Sequence, residues 1–156
     1  MQSPNISTRD KTQNKNLGFT LVEILIVVAM FAALITAAII IGVDSYQRYL
    51  IRSDLEVASS LLQKARSSAV NNIGETSHGV YFGDQIKFIL FRGTSYATRN
   101  TSYDLLLDKS KNSTESGLSE VVFSPLSGTT TGGTITLNDG ARSVTITINS
   151  EGGINW

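Results

Sequence analysis

The chain has 156 residues, no Cys and a formal net charge of zero, with a pI near 6.6. That length holds one ordinary domain and little more, and the lack of Cys excludes disulfides and thiolate-ligated metals and leaves the redox compartment unreadable from thiols. A balanced charge gives no overall nucleic-acid footprint.

Residues 1–18 are polar and basic, with Arg9, Lys11 and Lys15 against Asp10. A carboxylate, Glu23, then stands at the edge of an apolar run, Ile24–Val43, which carries no charge and one hydroxyl, Thr36. As a helix rising about 1.5 Å per residue, that run spans roughly 30 Å, the hydrocarbon thickness of a bilayer. A secretory signal has a shorter apolar core, about 7–15 residues, and then a small-residue cleavage site. Here the run passes instead into a polar helical pattern. Apolar residues on every face also argue against a core helix of a soluble domain. Lys and Arg favour the cytoplasmic side, so the predicted orientation is N-terminus inside and C-terminus outside.

Beyond the run the helix is predicted to continue as an amphipathic one. Tyr46, Leu50, Val57, Leu61, Ala65 and Ala69 recur at steps of four and seven and form one stripe. No Pro or Gly interrupts Val43–Ile73, and Asn71, Asn72 and Gly74 supply the stop. After Gly74 the pattern changes to strands. "HGVYF" (78–82) and "IKFILF" (86–91) flank a hairpin signal at Gly83 and Asp84. "SEVVFS" (119–124) ends at Pro125, and "GTITLN" (133–138) and "RSVTITI" (142–148) alternate with period two around an "NDGA" turn. "GGINW" is a candidate terminal strand, "SYDLLLDK" (102–109) reads equally as strand or helical turn, and 108–117 and 125–134 read as loops. The predicted fold class is α+β: a long N-terminal helix, one half apolar and one half amphipathic, packed on an antiparallel β-rich head.

"GFTLVE" at 18–23, with the basic leader before it and the apolar run after it, resembles the class III signal of type IV pilins and type II secretion pseudopilins. The head resembles the FimT/GspH type of minor pilin or pseudopilin, through its closing strand pair and the Gly-containing segment "SEGGIN". The resemblance implies a cleaved leader (1–18), a transmembrane and filament-core helix (19–43), an amphipathic continuation (44–73) and a globular head (74–156). It implies cleavage between Gly18 and Phe19 by a prepilin peptidase, N-methylation of Phe19, and an assembly role for Glu23 opposite the Phe19 amine of a neighbouring subunit. The implied partners are other pilin-like subunits, the peptidase, an inner-membrane assembly platform and, before assembly, the lipid bilayer. The implied location is the bacterial inner membrane, single-pass with the head outside, and then a pilus or pseudopilus. An unpaired charge inside a bilayer costs several kcal/mol, which gives Glu23 reason to seek a cation. The competing account of Glu23 is a snorkelling carboxylate that favours a helix N-terminus. The chain departs from major pilins in having Ile40 where many carry Pro, and the disulfide loop of many pilins is impossible without Cys. The presence of Glu23 argues against the tip pseudopilins that lack this carboxylate.

Other function classes fare worse. His78 is the sole histidine and abuts a strand; no nucleophile signature accompanies the many Ser and Thr. Asp104 and Asp108 would share a face only if their segment were helical. "SGTTTGGT" lacks the Lys of a phosphate loop, and "NDG" lacks the further acids of a calcium loop. No cofactor or metal site and no enzymatic activity is therefore expected. Some FimT-like minor pilins bind DNA through Arg residues near the C-terminus, but here Arg142 is the only basic residue after Lys111. From Asn72 onward six Lys/Arg face eight Asp/Glu, a net −2, whereas phosphate binding wants a concentrated positive patch. Only a cluster of Lys87, Arg92 and Arg99 made by folding would supply one. A plain signal-anchored surface protein, with sequons at Asn5, Asn100 and Asn112, would leave Gly18, Phe19 and Glu23 unexplained together.

Overall fold

The computed structural model describes residues 18–111 and 113–156, with the backbone alone at 40–44. The chain forms two compact units, one up to Ile41 and one from Gly42 to Trp156. Helix α1, Leu21–Val70, runs through both.

In the second unit α1 turns one stripe inward. Ile51, Ala58, Leu61, Leu62, Ala65 and Ala69 are buried, the i, i+3, i+4, i+7 spacing of an amphipathic helix. This stripe is rotated from the one the sequence predicts. Tyr46, the expected first member, is 63% exposed, and Leu50 and Val57 are only half-buried. The buried line includes two polar residues, Asp54 and Ser59, which an apolar-only pattern passes over. The helix ends at Val70, and Asn72 takes a left-handed conformation (φ 50°). The Ala69 carbonyl, left over at the helix end, accepts from Leu126 N at 2.9 Å.

Two four-stranded antiparallel sheets complete this unit. The first contains β1 (His78–Tyr81), β2 (Lys87–Arg92), β3 (Leu105–Asp108) and, beyond the next strand in the chain, β5 (Glu120–Phe123), in the order β3-β2-β1-β5. The second has the order β4-β6-β7-β8, from β4 (Thr114–Gly117), β6 (Gly133–Asn138), β7 (Ser143–Ile148) and β8 (Ile154–Asn155). Val80, Phe88, Leu90, Val121 and Phe123 of the first sheet, and Ile135, Leu137, Ile146 and Ile148 of the second, meet the α1 stripe in one core. The small residues Ala58, Ala65 and Ala69 are all fully buried in this core.

Both faces of β2 are covered, since Ile89 and Phe91 are buried as well as Phe88 and Leu90. Phe91 meets Tyr96 edge-on, and Tyr96 stacks on Tyr81 at 3.7 Å between ring centroids. The Tyr96 backbone is fastened by Glu120, whose Oε2 accepts its N–H at 2.8 Å. The β1–β2 connection is longer than a tight turn, and Asp84 Oδ1 organises it by accepting from Ile86 N and Lys87 N at 2.9 and 3.0 Å. The ambiguous segment 102–109 divides into a 3-10 turn at Thr101–Tyr103 and strand β3.

One expectation fails. Residues 108–117, read as a loop, contain β4 and hold it against β6. "TESG" carries no apolar residue, so its pairing comes from backbone hydrogen bonds with β6 and leaves no periodic trace. The segment is also tied to the helix: Asp54 Oδ1 and Oδ2 accept from Ser110 N at 3.0 and 3.2 Å. Lys109 is buried and donates through Nζ to the Glu115 carboxylate. The last turn, 149–153, is closed by Gly153 N donating to Asn149 Oδ1 at 2.6 Å. Gly152 sits there at φ 78°, where a Cβ would meet the Gly128 carbonyl.

Two predictions follow from these polar ties. Asp54→Ala strands the half-buried Ser110 N–H and should lower the unfolding free energy of residues 45–156 by about 1–3 kcal/mol in urea titrations, with Asp54→Asn milder because it keeps an acceptor. In the β6–β7 turn the Ala141 N–H, then the Arg142 N–H and its guanidinium, hold Asp139 below its ordinary pKa of 3.8. A lowered folded-state pKa contributes stability that is present above the unfolded value and is lost as pH falls through the folded one. Asp139→Ala should therefore flatten the acid limb of stability below about pH 4, read as midpoint against pH, and leave the limb above pH 7 parallel to the parent.

Candidate functional site

The first unit is built around a helix start. Thr20 Oγ1 accepts from Glu23 N at 3.2 Å, and the Thr20 carbonyl accepts from Ile24 N at 3.2 Å. Thr20 is thus the N-cap and Glu23 the N3 residue, the T-x-x-E arrangement of a capping box. Sequence reasoning passed over Thr20, although that spacing was there to be read. An acid in the first turn also suits the positive end of the helix.

Among the described residues nothing lies within 4 Å of a Cβ built at Gly18. The described residues therefore make no steric demand for glycine at this position. Phe19 is 77% exposed. The Glu23 side chain is exposed, and its carboxylate has no hydrogen-bond or ion-pair partner among the described residues. The leader expected over 1–18 lies, up to residue 17, outside the described residues.

From Leu21 to Ile39 the helix has a mean hydropathy of 2.7 and none of it is buried. The hydroxyl of Thr36 donates to the Ala32 carbonyl at 2.8 Å, so the one hydroxyl of this stretch is satisfied within the helix. A helix supplies its own backbone hydrogen bonds and so can sit in lipid or among other helices without further partners. The acid at its start is the one group that such surroundings leave wanting a cation.

The head offers no comparable chemistry. No group of His, Asp and Glu among the described residues is arranged to hold a metal. His78 is buried, with Nε2 at 2.8 Å from the Ile73 carbonyl. Lys87, Arg92 and Arg99 do not come together as one patch. Lys87 and Arg92 cap opposite ends of β2, about 17 Å apart along a strand and on opposite faces. Arg99 is committed elsewhere: Nε donates to Asp104 Oδ2 and Nη1 to the Tyr96 carbonyl, both at 2.8 Å, and the guanidinium lies 3.6 Å over the Tyr96 ring. The hydrogen bond to Asp104 raises its pKa further.

Residues 13–39 match the prokaryotic N-terminal methylation motif, a span that takes in Gly18, Phe19 and Glu23. Residues 56–152, more than half of the chain, match type II transport protein GspH. No curated protein matches the chain. Among solved structures the chain is similar to the type IV minor pilin FimU of Pseudomonas aeruginosa, with a TM-score of 0.55 and 20% identity over 70% of this chain and 89% of that one. At that identity the likeness is one of fold: a helix packed on antiparallel sheets.

The dispersal of the basic residues makes a prediction. Residues 45–156 should show no saturable binding to duplex DNA in mobility-shift titrations at about 0.15 M salt. Salt-sensitive binding that is lost on Lys87→Ala and Arg142→Ala would reverse this reading of the head.

Proposed function

The chain belongs to the GspH family of type II transport proteins, and we propose that it is made as a precursor, cut between Gly18 and Phe19, and assembled through Glu23. As a member of that family with an N-terminal methylation motif, it is a structural subunit of the minor pilin or pseudopilin kind. Its assembly partners are other pilin-like subunits. The motif and the apolar helix point to anchoring in the inner membrane before entry into the filament.

In the finer reading, the chain crosses the membrane once, with its basic leader inside and its head outside. A prepilin peptidase removes residues 1–18, and the new Phe19 amine is methylated. The surroundings of Gly18 among the described residues support this, because they move the reason for a glycine from the fold to the enzyme that handles it. An inner-membrane assembly platform then draws the helix out of lipid. Glu23 meets the Phe19 amine of a neighbouring subunit, and Leu21–Ile39 exchanges lipid for the helices of other subunits. The observation that carries this reading is the uncovered apolar helix whose first turn holds a carboxylate without a partner among the described residues. A buried ion pair of this kind sets register more than it adds stability.

Removing one partner of such a pair costs about 3–5 kcal/mol, a factor of hundreds or more in docking affinity. Glu23→Ala protein should therefore be made, cleaved and held in the membrane, yet fail to enter filaments. Glu23→Asp should be intermediate. Gly18→Asp should block cleavage, read as retention of Met1 by N-terminal sequencing. Normal filament entry by Glu23→Ala would return Glu23 to the role of a helix-terminal acid.

A further inference from the structure

A second candidate for partner contact lies in the head. At the end of α1, Lys64, Ile73, His78, Arg92, Tyr103 and Leu105 line a pocket of about 340 Å³. Its cationic members are Lys64 and Arg92, and no Asp or Glu lines it. Asp104, between Tyr103 and Leu105 in sequence, stays out of the lining and pairs with Arg99, and Glu75 is exposed and also outside it. This is unusual in a segment whose acids outnumber its bases.

Arg92 is fixed in place. Its guanidinium lies 4.4 Å over the Tyr103 ring. It also packs so closely on Gly74 that a Cβ there would collide with it. Gly74 has φ 69° in a turn that also holds Asn72 and Glu75 at positive φ, so the turn is shaped to admit this side chain. Among the described residues Arg92 has no acidic partner, and its Nε is buried without an acceptor. A buried guanidinium N–H without an acceptor is unfavourable, and a planar guanidinium packed on Tyr103 and Gly74 is set up for a carboxylate at its edge. The rim is apolar and open: Ile73 is 51% and Tyr103 58% exposed.

Resting on the reading of the chain as an assembling subunit, we propose that this pocket receives an acidic residue with an adjoining aliphatic or aromatic side chain from a neighbouring pilin-like subunit. The volume suits one or two side chains. The charge selects the acid, and the rim selects its apolar neighbour. The contact is a head-level one, separate from the helix contact of Glu23.

The test uses the full-length chain in cells that assemble filaments, with a photocrosslinking residue at Leu105 and, in a parallel strain, at Ile24. Leu105 should crosslink to an identified pilin-like subunit through a peptide containing Asp or Glu. Arg92→Gln together with Lys64→Gln should reduce that yield about tenfold, the weight of one charge-assisted hydrogen bond, and Arg92→Lys should restore part of it. Processing at Phe19 and the Ile24 crosslink should be unchanged. Crosslinks from Ile24 with none from Leu105 would overturn the pocket proposal and leave the assembly reading standing. Absence of both would overturn the two together. A Leu105 crosslink indifferent to Arg92 and Lys64, or one to DNA, would also overturn it.

Discussion

The head depends on one face of α1. Each sheet buries a single layer of side chains against the core, and the element that both layers reach is the stripe through Ala58, Leu61, Leu62, Ala65 and Ala69. Removing it would leave two apolar sheet faces without a shared third layer. The alanines matter as much as the leucines, because full burial of side chains this small means close contact with their surroundings on every side. The family match begins at Glu56, inside the helix, as expected if this part of α1 is integral to the head and not a stalk added to it.

One helix thus meets two demands. Around Leu21–Ile39 it is apolar on every face and buries nothing. From Ile51 to Ala69 it presents a single buried stripe and keeps Gln63, Lys64 and Ser67 outward. Backbone geometry is the same in both, so the difference lies wholly in which side chains occur around the circumference. The first part is written for a surrounding that supplies apolar contact from all directions. The second is written for contact from one side and water on the other. Glu23 belongs to neither pattern, which is why it stands out.

Much of this was legible in the sequence. The period-two runs of β6 and β7 announced themselves because each buries alternate residues in the core, and β1, β2 and β5 did so as short apolar runs bounded by turn residues. The "NDGA" turn did so because Asn138 and Asp139 fold back on their own backbone, as their bonds to Gly140, Ala141 and Arg142 show. Strand β4 was not legible, since its residues are held by backbone pairing and polar side-chain contacts, with no apolar face to mark it. The inner stripe was misplaced because Asp54 and Ser59 are buried for their hydrogen-bonding or their size and not for their apolarity. At the N-terminus, Gly18, Phe19 and Glu23 were legible as a motif, while the N-cap Thr20 was overlooked beside the louder apolar run. The pocket around Arg92 could not have been read in advance. It gathers side chains from α1, the turn after it, β1, β2, the 3-10 turn and β3, which only the fold brings together.

The order β3-β2-β1-β5 has a mechanical side. The chain leaves α1 through a short turn and enters β1, which lies inside its sheet with β2 on one edge and β5 on the other. Tension carried down α1 is therefore delivered to a strand gripped on both sides, and not to an edge strand that could peel away one bond at a time. At the same point the last turn of α1 is stitched to the loop at Leu126, and Arg66 reaches the Glu151 carbonyl in the final turn of the chain. A pull that enters by the helix is thus shared at once between the first strand of the head and its last segment. The fold loads both ends of its β structure in parallel.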